Sequence, residues 1–103
     1  MDNKERNEIL FTQLALMFHG AAMQQMGKIK SPITDKIERD LGQAQLSIDM
    51  LEMIKEKMSG NLTAEEERLI QSLLRELRLN YVDEVNKDQA KTSPEKSEPA
   101  GTS

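Results

Sequence analysis

Apolar residues recur with helical spacing in three stretches of the 103-residue chain, and residues that favour turns separate the stretches. The pattern predicts three helices, over about Asn7 to Met26, about Asp35 to Ser59 and about Ala64 to Val85. The first connection contains Ser31-Pro32, and proline forces the preceding residue toward extended geometry, so the chain must turn there. The fold class that we expect is therefore all-α.

Residues typical of helix ends lie at these boundaries. Asn7 and Thr34 can cap the first and second helices, and Gly27 tolerates the left-handed conformation that closes a helix. The strongest signal follows the second helix, where Gly60 ends one helix and the sequence Thr63-Ala64-Glu65-Glu66 forms a capping box that opens the next. This short connection predicts a tight helical hairpin.

The second and third helices carry apolar stripes that match each other. Facing positions of two antiparallel helices have residue numbers with a nearly constant sum, and the two stripes satisfy this condition. The pairs that it predicts are Ile37 with Val85, Leu41 with Tyr81, Ala44 with Leu77, Ile48 with Leu74, and Leu51 with Ile70.

The first helix is apolar on almost every side, and the stretch from Ile9 to Met26 contains no charged residue. A single hairpin can cover only one side of such a helix. We therefore expect a second copy of the chain to cover the remainder, in a homodimer that completes the helical bundle. The residues of this expected oligomer interface are Phe11, Leu14, Met17, Phe18, Ala21, Ala22, Met50 and Met53.

Composition and charge narrow the range of functions. A net charge of −4 argues against a nucleic-acid partner, and the absence of cysteine excludes disulfides, thiolate nucleophiles and cysteine-ligated metals. A negatively charged segment precedes the first helix, and polar residues interrupt its uncharged stretch, so we expect a cytoplasmic protein without a membrane span. Residues 86–103 contain few apolar side chains, which predicts a helical domain over 1–85 and a disordered tail over 86–103.

Few side chains are candidates for chemistry. The single histidine, His19, has only apolar residues at helical spacing and is expected to be an interface histidine or a partly satisfied polar one. Asp49 and Arg75 are expected to form a structural ion pair, with a functional role for the carboxylate as the alternative. Lys28, Lys30 and Lys36 are interpreted as solvated charge. No catalytic, metal-binding or cofactor-binding residue is predicted, so we expect that the chain is not an enzyme.

Several short motifs together resemble one family. These motifs are Phe11 with Leu14, Asp40-Leu41-x-x-Ala44, Ile48-Asp49-x-Leu51, Lys57-x-x-Gly60-Asn61-Leu62-Thr63-x-Glu65-Glu66 and Leu77-Arg78-x-x-Tyr81. From Phe11 to Tyr81 the chain resembles the bacterial family catalogued as domain of unknown function 1844. The resemblance implies a short, helical, cytoplasmic protein, and it implies no established activity or cofactor.

Two functions follow from the surplus of apolar surface. The first is a non-enzymatic module that self-associates and presents a helix face to an unidentified protein partner. The alternative is a peripheral subunit whose uncharged first helix lies on lipid or against a membrane complex. An enzymatic site could arise only if self-association brought Asp49, His19 and arginines of different chains together.

Overall fold

The computed structural model describes residues 1–92, and within them the chain forms three helices and no strand. The helices are α1 (Asn3–Gln25), α2 (Leu41–Lys57) and α3 (Ala64–Thr92). Each helix contacts the other two. The prediction of an all-α fold is confirmed.

Helix α1 begins earlier than the sequence pattern suggested, so the prediction of Asn7 as its cap is wrong. Asp2 is the N-cap: its carboxylate accepts the Glu5 N–H at 2.8 Å, and the Glu5 carboxylate accepts the Asp2 N–H at 3.3 Å. This reciprocal capping box satisfies free N–H groups at the helix start. The charged residues that follow are good helix formers, which extends α1 toward the N-terminus.

Helix α2 begins later than predicted, and Thr34 is not its cap. Asp40 takes that role and accepts the Gln43 N–H at 3.1 Å. Residues 31–40 form turns and irregular structure, and Asp35 has a φ of 58°, which is incompatible with a helix. Ile37 therefore lies outside α2 and is exposed, so its predicted pairing with Val85 is wrong.

Helix α3 begins where the sequence predicts and ends beyond the predicted residue. The Thr63 hydroxyl accepts the Glu66 N–H at 3.1 Å, and the Glu66 carboxylate accepts the Thr63 N–H at 2.9 Å, which confirms the capping box. The helix continues through Thr92, so the part of the predicted tail from 86 to 92 is helical. The rest of that predicted tail, 93–103, lies outside the described residues.

The core contains the central part of both predicted stripes and one side of α1. Its fully buried members include Leu51, Ile70, Leu74 and Leu77, while Leu41 and Tyr81 are partly buried at its edge. From α1 the buried residues are Phe11, Ala15 and Ala22, and its C-cap residue, Met26, is buried as well. At roughly 1.5–3 kcal/mol for each large buried apolar side chain, this cluster is the main favourable contribution to stability.

The two glycines that close α1 and α2 both adopt the left-handed conformation, with φ values of 85° at Gly27 and 87° at Gly60. At Gly27 the N–H donates to the Gln24 carbonyl and the next N–H, of Lys28, donates to the Met23 carbonyl, which is the Schellman closure of a helix. The predicted roles of both glycines are confirmed.

Substitution of these two glycines by alanine is expected to have unequal effects. A Cβ at Gly60 would contact nothing within 4 Å, so Gly60→Ala incurs only the left-handed backbone strain of about 1–2 kcal/mol. A Cβ at Gly27 would lie 3.1 Å from Cδ of Arg39, and ion pairs hold that side chain in place. We expect Gly27→Ala to lower the free energy of unfolding by more than Gly60→Ala does, as measured by urea denaturation. Equal losses would show that Arg39 moves aside freely.

Candidate interaction surfaces

The predicted oligomer interface is divided between the core and the surface. Phe11 is buried and Ala22 is 0% exposed, so both belong to the core of the chain itself, and Phe18 packs against that core. Ala21 is half-buried. The remaining four predicted residues, Leu14, Met17, Met50 and Met53, are exposed.

Helices α1 and α2 lie next to each other along these exposed residues. Near the end of α1, the Gln25 side-chain amide is 2.7 Å from the Ser47 hydroxyl of α2. Near the start of α1, Phe11 and Leu14 line the same pocket as Met58, the C-cap residue of α2. We call the exposed residues beside this contact, together with the half-buried Ala21, the α1–α2 face; its members are Leu14, Met17, Ala21, Leu46, Met50 and Met53.

A cluster of ion pairs joins the connection between α1 and α2 to the second half of α3. Its centre is Glu84, whose side chain is 9% exposed and which binds Lys28 at 2.8 Å, Arg39 at 3.0 Å and Lys87 at 3.1 Å. Lys28 also pairs with Asp83, and Arg39 also pairs with Asp88, at 2.8 Å in each case. We call these six residues the Glu84 cluster.

The Glu84 cluster stabilises the charged forms of Lys28, Arg39, Asp83 and Glu84. The hydrogen bond from Lys28 is the main reason that the pKa of Glu84 falls to about 2; burial opposes this effect, and Lys87 and Arg39 reinforce it. Hydrogen bonds to Asp83 and Glu84 raise the pKa of Lys28. The hydrogen bond between Lys28 and Asp83 also lowers the pKa of Asp83. Groups held so firmly in one protonation state suit a structural role better than proton transfer.

Sequence reasoning missed this cluster because its members are far apart in the chain. Lys28 was interpreted as part of a solvated basic group, and Lys87 and Asp88 fall in the predicted tail. One local signal existed: Lys87 follows Asp83 and Glu84 at the i,i+4 and i,i+3 spacings that support ion pairs on a helix. These contacts, with the pair from Arg39 to Asp88, explain why α3 continues past Val85.

The predicted pair between Asp49 and Arg75 does not form among the described residues. Asp49 instead accepts a hydrogen bond from the Gln45 side-chain amide at 2.9 Å. The register explains the difference, because Asp49 shares a surface depression with Arg78, whereas Arg75 lies one turn away in a depression with Lys55. The ion pair between α2 and α3 at this level joins Glu52 to Arg78.

His19 has a polar partner that the sequence pattern did not reveal. Its Nε2 lies 3.1 Å from a carboxylate oxygen of Glu76 on α3. This contact satisfies a half-buried polar ring and ties α1 to α3. Asp49 lies on α2 near Arg78, and among the described residues no hydrogen bond or ion pair joins it to His19, so the two side chains do not form a common site within one chain.

Residues 1–92 contain neither a cluster of metal-binding side chains nor a helix that could span a membrane. No group of three or more histidine, cysteine, aspartate or glutamate side chains in this part of the chain is placed to hold a metal ion. None of the three helices described is both long and apolar enough to cross a membrane.

Comparison with known proteins gives one match. No curated protein sequence and no solved structure matches the chain. A family model does match, over residues 8–84, and its description is domain of unknown function (DUF1844). The match covers most of α1, all of α2 and most of α3, including the motifs that carry the resemblance. The chain therefore belongs to the DUF1844 family.

Proposed function

We propose that this protein is a non-enzymatic, cytoplasmic interaction module that forms a homodimer through the α1–α2 face. The observation that carries the proposal is the exposure of this face. Met17 of α1 is 69% exposed, and Leu46, Met50 and Met53 of the neighbouring helix α2 are exposed as well. Contiguous apolar surface of this kind marks interaction sites on small soluble proteins.

The arrangement of the face supports one continuous contact surface. Ala21 and Gln25 are one helical turn apart, and Gln25 contacts α2, so the stripe that contains Ala21 follows the edge of α1 nearest α2. On α2, Met50 follows Ser47 by three residues, which places it next to Ser47 on the helix surface, and Ser47 is the residue that Gln25 contacts. Leu46 and Met53 continue the stripe of Met50 at spacings of four and three residues. The two exposed stripes therefore flank the same groove.

The distribution of charge restricts where a second copy can bind to the uncharged part of α1. The chain has a net charge of −4, so two copies repel each other over most of their surface. The stretch from Ile9 to Met26 carries no charge, and two copies can bring this part of α1 together without facing like charges. A two-fold contact between identical apolar faces buries the same residues of each copy.

The proposal includes an antiparallel hairpin of α2 and α3. Arg39, just before α2, pairs with Glu84 late in α3, whereas Glu52 in the second half of α2 pairs with Arg78 earlier in α3. This order of contacts supports antiparallel helices. Helix α1 packs against this hairpin, and in our proposal the second copy covers the exposed side of α1 and completes the bundle.

The experiment that tests the proposal is the solution mass by light scattering across a range of concentrations. Met17→Glu and Met53→Glu each place a charge in the proposed interface and are expected to abolish association through this face, so that the mass at the lowest concentrations falls to that of a monomer. Leu79→Glu is the matched control, because Leu79 on α3 is 67% exposed and lies outside the face. Leu79→Glu should remain a dimer. A wild-type chain that stays monomeric at every concentration would contradict the proposal.

A further inference from the structure

The connection between α1 and α2 holds three isoleucines at the surface. Ile33 is 91% exposed, more than any other large apolar side chain described, and Ile29 and Ile37 on either side of it are also exposed. An apolar side chain that projects this far gains nothing from its own fold. We call residues 29–37 the isoleucine loop.

The isoleucine loop is held in a defined shape. Ser31 is buried, and its hydroxyl accepts the N–H groups of Ile33 and Thr34 at 3.2 and 3.4 Å. Its own N–H donates to the Lys36 carbonyl at 2.8 Å, and the Asp35 N–H donates to the Ser31 carbonyl at 2.8 Å. The loop is therefore closed around Ser31 with Ile33 at its tip.

The base of the loop is fixed as well. The Asp40 N–H donates to the Gln25 carbonyl at 2.7 Å, and Lys28 and Arg39 on the two sides of the loop both bind Glu84. A loop anchored in this way loses little conformational entropy when a partner covers its tip. The fold keeps an apolar anchor ready for binding.

The opposite end of the molecule carries a matching depression of about 580 Å³, which we call the end pocket. It is formed where α1 begins, α2 ends and α3 begins. Its apolar lining comes from Leu10, Phe11, Leu14 and Met58. The depression is open to solvent on one side, so a side chain that projects from another molecule can enter it.

The charges around the loop tip and the end pocket are complementary. Lys30 and Lys36 flank Ile33, with Asp35 between them. Around the end pocket lie two acids, Glu8 and Glu66, and one cation, Lys4. An apolar anchor inside a rim of opposite charges is the usual anatomy of a specific protein contact.

We propose that the isoleucine loop of one copy binds the end pocket of a second copy, with Ile33 as the anchor. The two sites lie at opposite ends of the folded molecule, so the loop of one copy cannot reach the end pocket of the same copy. The contact between two copies is therefore head-to-tail. Leu14 belongs to both the end pocket and the α1–α2 face, but Ile33 and Leu10 lie outside that face, so the head-to-tail contact can be tested without it. Where both form, dimers join into longer assemblies.

The test uses Met17→Glu as the background, so that association through the α1–α2 face is removed. In this background the average solution mass is expected to rise with concentration through the loop and pocket. Adding Ile33→Asp or Leu10→Asp should abolish the rise, which corresponds to a dissociation constant at least about tenfold higher. Adding Leu79→Asp, which is remote from both sites, should leave the rise unchanged.

A mixing experiment then separates a specific contact from general stickiness. The Ile33→Asp chain keeps an intact end pocket, and the Leu10→Asp chain keeps an intact loop, so an equimolar mixture should form a heterodimer and nothing larger. Circular dichroism of each variant checks that the helices are intact. The proposal is overturned if the background chain stays monomeric, or if Ile33→Asp leaves its association unchanged. It is also overturned if the mixture shows no heterodimer, whatever the α1–α2 face does.

Discussion

Leu77→Ala is expected to lower the free energy of unfolding by about 2–5 kcal/mol, the range found when a large side chain is removed from a packed core. Leu77 is fully buried on α3 and belongs to the cluster that joins all three helices. Its truncation leaves a cavity that the surrounding helices can fill only in part. Urea denaturation followed by circular dichroism measures the loss.

Leu79→Ala is the matched control for this prediction. It changes the same residue type on the same helix only two positions away, but on the exposed side. We expect a change within about 0.5 kcal/mol, as for most surface substitutions. Similar losses for the two variants would contradict the orientation of α3 on which the core depends.

Glu84→Gln is expected to have the second largest effect, about 2–3 kcal/mol of the free energy of unfolding at pH 7. The substitution keeps the shape of the side chain but removes the charge, which leaves Lys28 and Arg39 without their shared partner. Asp49→Asn is a suitable control, because it removes a charge from an exposed carboxylate that forms no ion pair among those described. The Asn side-chain oxygen can still accept the hydrogen bond from Gln45. We expect a change within about 0.5 kcal/mol for the control.

The same residue gives the stability a dependence on pH. The pKa of Glu84 is about 2 in the folded chain and near 4.5 in the unfolded chain, so the unfolded state binds the proton more readily. Its contribution to stability is complete above about pH 4.5 and is lost as the pH falls toward 2. Wild type should therefore lose stability more steeply than Glu84→Gln over this interval. Parallel curves in denaturant titrations at each pH would contradict the Glu84 cluster.

The sequence predicts well those features that depend on residues close together in the chain. Thr63 and Glu66 form the predicted capping box, and Gly27 and Gly60 adopt the left-handed conformation expected of them. The start of α1 was missed although Asp2 and Glu5 have the same spacing as that capping box, because several residues near the N-terminus can cap. A competing turn around Ser31 displaced the start of α2.

Features that depend on tertiary contacts could not be read from local pattern. Glu84 looks like an ordinary surface acid until Lys28 and Arg39 are brought to it by the turn after α1. The interface prediction shows the same limit. A helix that is apolar on every side does not reveal which side its own core covers, and Phe11 and Ala22 proved to be on that side.

The central claim is that two copies meet through the α1–α2 face, and cysteine cross-linking tests it most directly. The chain contains no cysteine, so Met17→Cys and Leu79→Cys each provide a single thiol at positions of similar exposure. With a thiol-reactive cross-linker long enough to span the face, we predict rapid formation of a covalent dimer from Met17→Cys, and slow, concentration-limited formation from Leu79→Cys. Equal rates for the two variants, or a faster reaction at position 79, would contradict a dimer built on the α1–α2 face.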